Sequence, residues 1–335
     1  MKSIEKLRAD RLCAGVLSLG LILLTACGGE PPPPERTAEE AAPATTVAPA
    51  PEPPPQPQVV ELRAVGMTFE GPTEIPSGWT TFRFFNASNM IHFAMIDVPP
   101  EGVTVERFSA EVAVPFQAAM DAMNAGDEEA ANAAFASFPE WIGELGRNGG
   151  PGLLSAGRLG QTTVYLEPGH YIIECYVKSD GVFHTTPPAD GKLGMLLDLT
   201  VTEQPNGVPE PDADVTLAVR NGGFEITAGE LRPGRNTIRV DFLEQQALPS
   251  FVGNDVHLLR VDDETSLAQA NAWLDWRTPD GLEDPAPVTF LGGLNDLPAG
   301  AHGYFTVDLE PGDYAFIAEM PDPLSAGFVL PFSVD

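Results

Sequence analysis

Apolar positions along this chain fall mostly in short runs separated by Gly, Pro and Asn. Thr80–Phe85, Ile91–Val98, Thr162–Leu166, Tyr171–Val177 and Leu193–Val201 are rich in β-branched or aromatic residues, and each reads as a strand. One stretch departs from this pattern. Between Thr104 and Leu145, Phe135, Phe138, Trp141 and Leu145 recur at helical spacing, and Asp127-Glu128-Glu129 offers the acidic first turn of a helix. The spacing predicts a helical insertion over 104–146, lying on the strands, with Met120 and Met123 used for packing.

Self-comparison exposes a repeat. Ala156 to Tyr171 aligns with Ala299 to Tyr314 at an offset of 143, and ten of those 16 positions are identical, Glu-Pro-Gly-x-Tyr among them. At the same offset Gly149-Gly150 falls on Gly292-Gly293, and upstream Ile91-His92 resembles Val256-His257. Two copies of one β domain are therefore expected, over 59–203 and 212–335, joined by the Pro-containing stretch 203–211.

Composition supports turns and short strands. Gly (33) and Pro (34) make up about a fifth of the 335 residues, which excludes an all-helical protein. With 18 Lys and Arg against 48 Asp and Glu, the net charge of −30 repels phosphate backbones, so nucleic acid is excluded as a partner. A surface of that sign would steer positively charged proteins towards it.

The first residues read as an address. Lys2, Lys6, Arg8 and Arg11 precede an apolar run from Leu12 to Ala26, the basic and apolar regions of a secretory signal. The run is shorter than the roughly 20 residues of a spanning helix. It ends in Leu24-Thr25-Ala26-Cys27-Gly28, which resembles the lipobox of bacterial lipoproteins. That resemblance implies cleavage of residues 1–26, lipidation of Cys27 and an exported protein anchored to the cell envelope. Gly28, in place of Asp, favours the outer membrane. Cleavage removes four basic and two acidic residues and takes the charge from −30 to −32. Residues 27–58, rich in Pro, Ala, Thr and Glu without apolar periodicity, read as a linker.

With Cys27 acylated, Cys175 has no partner for an internal disulfide, and a lone thiol in an oxidising compartment calls for a role. Alternation along Tyr171-Ile172-Ile173-Glu174-Cys175 puts Tyr171, Ile173 and Cys175 on the inner face and Glu174 on the outer one. Pro168 to Cys175 resembles the last ligand-bearing strand of the cupredoxins, the blue copper family, and Phe84 to His92 resembles the segment that ends in their first His ligand. The resemblance implies a mainly β fold, two tandem cupredoxin-like Greek-key β-sandwiches. It also implies one copper, cycling between Cu(I) and Cu(II), held in the first by His92, Cys175, His184 and Met195. A thiolate, two imidazoles and a long thioether contact suit that metal. The gap of ten residues between His184 and Met195, with Pro187-Pro188 inside it, exceeds the family's usual gap to the Met.

The second copy works as an internal control. The position of Cys175 becomes Ala318, so no thiolate site exists there, and His257 and His302 read as structural. No His-x-His pair stands in the chain, which disfavours an enzyme with copper between two domains and favours an electron carrier or copper-handling protein. A metal-free pair of sandwiches serving as a cell-surface binding module is the alternative. Phosphate loops, serine-hydrolase elbows and zinc-protease motifs are absent, and the acidic runs at 127–129 and 262–264 read as solvated faces.

Overall fold

A computed structural model of the chain describes residues 58–245 and 253–335, all within a compact unit that spans 53–335. The signal, Cys27 and most of the linker lie outside the described residues. In chain order the strands are β1 (Gln58–Val65), β2 (Thr68–Glu70), β3 (Glu74–Asn86), β4 (Met95–Val98), β5 (Gly146–Arg147), β6 (Leu159–Leu166), β7 (Gly169–Glu174), β8 (Lys178–Ser179), β9 (Val182–Phe183) and β10 (Leu196–Pro205). The second half continues with β11 (Val215–Arg220), β12 (Gly223–Gly229), β13 (Gly234–Phe242), β14 (Val256–Val261), β15 (Phe290–Leu294), β16 (His302–Leu309), β17 (Gly312–Ile317) and β18 (Val329–Val334).

The fold is mainly β and layered. The long strand β3 belongs to two layers: Glu74–Ser77 pair with β10, whereas Gly78–Phe85 pair with β6. One layer then runs β10-β7-β4-β5, and the other crosses both halves as β3-β6-β16-β13-β11-β12. A four-stranded sheet, β15-β14-β17-β18, covers the second half. Alternation explains the packing, since β13 buries every second residue from Asn236 to Phe242. Phe82 and Phe84 of β3, Ile173 of β7, Ile238 of β13 and Phe316 of β17 all belong to one continuous core.

The repeat has a physical cause. Tyr171 Oη donates to the Glu167 carbonyl at 2.8 Å, and Tyr314 Oη donates to the Glu310 carbonyl at 2.8 Å, so Glu-Pro-Gly-x-Tyr ties the same corner in each half. The second glycine of each Gly-Gly pair takes a positive φ, 103° at Gly150 and 145° at Gly293. A Cβ would strike the Ala94 carbonyl at the first and the Val256 carbonyl at the second, so only glycine lets the chain pass the histidine-bearing segment. The halves also meet through equivalent residues. Thr162 pairs with Phe305, Pro151 bridges Leu294 and Tyr176 Oη donates to Glu319 Oε1 at 3.1 Å, each pair 143 apart. Gln161 pairs with Thr306 and Thr163 with Tyr304, the reciprocal pattern of a pseudo-two-fold axis.

The insertion is helical but interrupted. Val105–Phe108, a π-helical turn Ser109–Ala113 and Val114–Asn124 run on without a break, and a second helix spans Glu128–Ala136. We name the long run α1 (105–124) and the second α2 (Glu128–Ala136). Asp127 caps α2 by accepting from Ala130 N–H at 3.0 Å. The expected periodicity does not carry to Leu145, because Pro139 follows and Glu140–Glu144 form only a 3₁₀ turn. The second half holds a helix that alternation did not suggest, α3 (Ser266–Trp273). Asp263, in the acidic run before it, accepts from Thr265 N–H at 2.7 Å and orders its start.

Candidate metal centre

Three segments bring polar side chains to one buried point in the first half. The predicted strand Ile91–Val98 is regular only as β4. Before it the chain breaks from the ladder and His92 forms an isolated bridge with Leu154. The buried Asn86 amide fixes this break, donating to the Met90 carbonyl at 2.7 Å and to the Leu154 carbonyl at 2.8 Å while its oxygen accepts from Ser88. Cys175 follows β7 directly. Its N–H donates to the Met195 carbonyl at 3.2 Å, and Met195 N–H donates to the His184 carbonyl at 2.6 Å, so backbone bonds link all three.

The nine-residue spacing from Cys175 to His184 is taken up by the β8–β9 hairpin. Asp180 (φ 53°) and Gly181 (φ 77°) make its two-residue turn, both left-handed as the twist of a tight hairpin requires. Gln117 of α1 clamps the hairpin, accepting from Phe183 N–H at 2.8 Å and donating to the Gly181 carbonyl at 3.1 Å. Lys178 is buried, its Nζ donating to the carbonyls of Thr278 (2.7 Å) and Pro279 (2.9 Å). Asp284 accepts from Ile91 N–H at 2.9 Å. The insertion and residues 278–284 thus close over the site from two sides.

His92, Cys175 and His184 are each fully buried, and their ligand atoms lie within 4.8 Å of one another. Cys175 Sγ is 3.5 Å from His92 Nδ1 and 3.8 Å from His184 Nδ1. A thiolate bond of about 2.3 Å and an imidazole bond of about 2.0 Å, meeting at roughly 110–120°, leave sulfur and nitrogen about 3.5–3.8 Å apart. The spacing therefore matches a shared metal ion. Tautomer agrees. Ser179 Oγ donates to Met90 Sδ at 3.3 Å, so at 2.9 Å it accepts from His184 Nε2–H, leaving Nδ1 with a lone pair facing the sulfur. His92 Nε2 has no hydrogen-bond partner among the described residues. The Gly66 carbonyl favours a proton on the ring.

Burial sets the protonation of the metal-free site. It pushes the Cys175 thiol up to about 12 and the imidazoles down, His92 to about 3, with His184 opposing further, and His184 to about 4. All three are neutral at pH 7. Met195 is fully buried and held by backbone bonds next to both Cys175 and His184.

Glu174 overturns one expectation. It is buried, not outward, because the outer face of β7 lies under the insertion, beside Asp97 and Arg147. Arg147 pairs with Asp97, and burial raises Glu174 well above the usual carboxylate range. The residues that sequence reasoning missed are Ser179, Gln117, Lys178 and Asp284. Asp180-Gly181 was the one local signal for the hairpin that carries Ser179.

A second buried group, Asp255, His257 and Glu319, lies in the other half. There Leu153 N–H donates to His257 Nδ1 at 3.2 Å, so the ring proton sits on Nε2, 2.7 Å from Asp255 Oδ2. The ring serves as an anchor between the halves. His302 pairs with Glu210 at 2.7 Å beside Trp79.

No family model and no curated protein sequence matches the chain. Among solved structures, auracyanin B is similar at 22% identity over 38% of this chain and 93% of its own, with a TM-score of 0.27. Auracyanin from the photosynthetic bacterium Roseiflexus castenholzii is similar at 14% identity over 36% of this chain and 94% of its own, TM-score 0.28. A copper nitrite reductase from Nitrosomonas europaea is similar at 12% identity over 83% of this chain and 93% of its own, TM-score 0.23.

Proposed function

We propose that the chain is an exported, lipid-anchored protein that binds one copper ion in its first sandwich, for electron transfer or copper handling. The observation that carries this reading is the convergence of one thiol and two imidazole nitrogens at separations a single ion can bridge. When bound, the metal supplies one-electron chemistry between Cu(I) and Cu(II). His92 Nδ1, Cys175 Sγ and His184 Nδ1 would hold it, with Met195 as the fourth ligand. Ser179 orients His184, and Asn86 and Gln117 fix the backbone on either side, so these side chains would hold an ion in a preset arrangement. The enclosing residues keep the four side chains buried, and a bound copper would there be shielded from water.

We read the chain as a carrier or handling protein and not as an enzyme, since no His-x-His pair is present to build a second copper centre. Its partner would carry positive charge, complementing a net charge of −32 once residues 1–26 are removed. The second half serves as scaffold and cover. The test is optical. Purified protein loaded with Cu(II) should bind one equivalent and turn intensely blue or green, and Cys175→Ser should abolish the colour without unfolding the chain. A colourless protein with substoichiometric copper contradicts the reading.

A further inference from the structure

Cations are scarce in this chain, and nearly all of them are paired. Among the described residues every Lys and Arg side chain has a carboxylate oxygen within 4 Å, except three. Lys178 donates to carbonyls instead. The other two, Arg158 and Arg235, line one and the same cleft of about 340 Å³, within the roughly 300–1,000 Å³ usual for small-molecule sites. The cleft lies on the outer face where β13, β16 and β6 run side by side. Arg235 stands on β13, and its Nη2 donates to Gln161 Oε1 on β6 at 2.9 Å. The guanidinium therefore reaches over β16 into the cleft, and its other N–H groups have no acceptor among the described residues. Arg158, just before β6, also lines a second depression of about 400 Å³ and forms the ridge between the two.

A neighbouring arginine shows what such a position takes. Arg239, four residues along β13 on the same face, donates to Glu210 Oε1 at 2.7 Å. Tyr304, which the repeat aligns with Gln161, donates to that same oxygen. There the chain supplies its own carboxylate, and at Arg158 and Arg235 it supplies none. Two guanidiniums without counter-ions, in a chain of net charge −30, favour carboxylate groups as ligands. Asp308 sets the second requirement. It lines the same cleft and faces Arg235 across the β13–β16 ladder, yet it is exposed and has no cation within 4 Å among the described residues. A bare dianion would meet its repulsion, whereas a ligand that also carries an ammonium would not. We infer that this cleft binds an acidic amino acid, its carboxylates towards Arg158 and Arg235 and its ammonium towards Asp308. None of these residues is a metal ligand, so the inference stands apart from the copper reading.

The test uses the full chain without metal. Calorimetry at low ionic strength compares L-glutamate with glutarate, which has the same two carboxylates and no ammonium, and with inorganic phosphate. L-Glutamate is expected to bind once per chain, about tenfold tighter than either of the others. Arg158→Gln and Arg235→Gln should each weaken L-glutamate about tenfold, as loss of a charge-assisted hydrogen bond does. Asp308→Asn should bring L-glutamate and glutarate within about twofold of each other. All three side chains are exposed, so the variants should keep the fold, with circular dichroism as the check. Absence of L-glutamate binding, glutarate or phosphate binding as tightly, or an affinity unmoved by both arginine variants overturns the inference.

Discussion

Metal binding at His92, Cys175 and His184 should release one proton, and the count follows from burial. In the metal-free protein the thiol titrates at about 12 and the imidazoles at about 3 and about 4. At pH 7 the site therefore holds one displaceable proton, on sulfur. The thiolate fraction is then about 10⁻⁵, a cost of about 7 kcal/mol that the metal bond must offset. Apparent affinity should rise about tenfold per pH unit, so about 100-fold between pH 6 and pH 8, since both imidazoles stay neutral across that window. Below about pH 4 the slope should steepen as His184 and then His92 compete with the metal. Anaerobic calorimetry with Cu(I), in buffers of equal pH but different ionisation enthalpy, counts the protons directly. A release near zero at pH 7, or an affinity flat from pH 6 to pH 8, would refute the claim that a buried neutral thiol becomes the ligand.

Other consequences can be checked with single variants. Ser179→Ala frees the His184 tautomer and should weaken metal binding about 10- to 100-fold with little change in melting temperature. Gly194→Ala places a Cβ against the carbonyls of Thr185 and His184; a loss of about 3 kcal/mol or more in urea unfolding, together with loss of metal binding, is expected. In the metal-free protein both imidazoles titrate below their ordinary value, so the unfolded chain takes up protons that the fold refuses. Their contribution is complete above about pH 6.5 and lost as pH falls, by about 4 kcal/mol at pH 5. A His92→Gln, His184→Asn double variant should lack that part of the slope, and an identical slope in the variant would count against it.

The legible features are those whose cause is local. Glu-Pro-Gly-x-Tyr marks the repeat because the tyrosine hydroxyl bonds a carbonyl four residues away, within one short stretch. Cys175 points inward because alternation along β7 decides it, and His92 follows an Asn whose amide organises the turn before it. What stayed hidden depends on segments far along the chain. Glu174 is buried because Arg147 and the insertion cover it, and Lys178 because carbonyls 100 and 101 residues away accept its protons. Phe135, Phe138, Trp141 and Leu145 keep helical spacing, but Pro139 lacks the N–H to carry a helix through them, and Glu140–Glu144 form a 3₁₀ turn. α3 escaped notice because its buried residues, Ser266, Ala270 and Trp273, include one polar and one small side chain.

X-ray absorption at the copper edge of the loaded protein inspects the first coordination shell without recourse to colour. The account predicts one short sulfur bond and two imidazole nitrogens at about 2.0 Å, with the sulfur lost in Cys175→Ser and one nitrogen lost in His92→Gln. A shell of oxygen and nitrogen alone in the unmodified protein would contradict it.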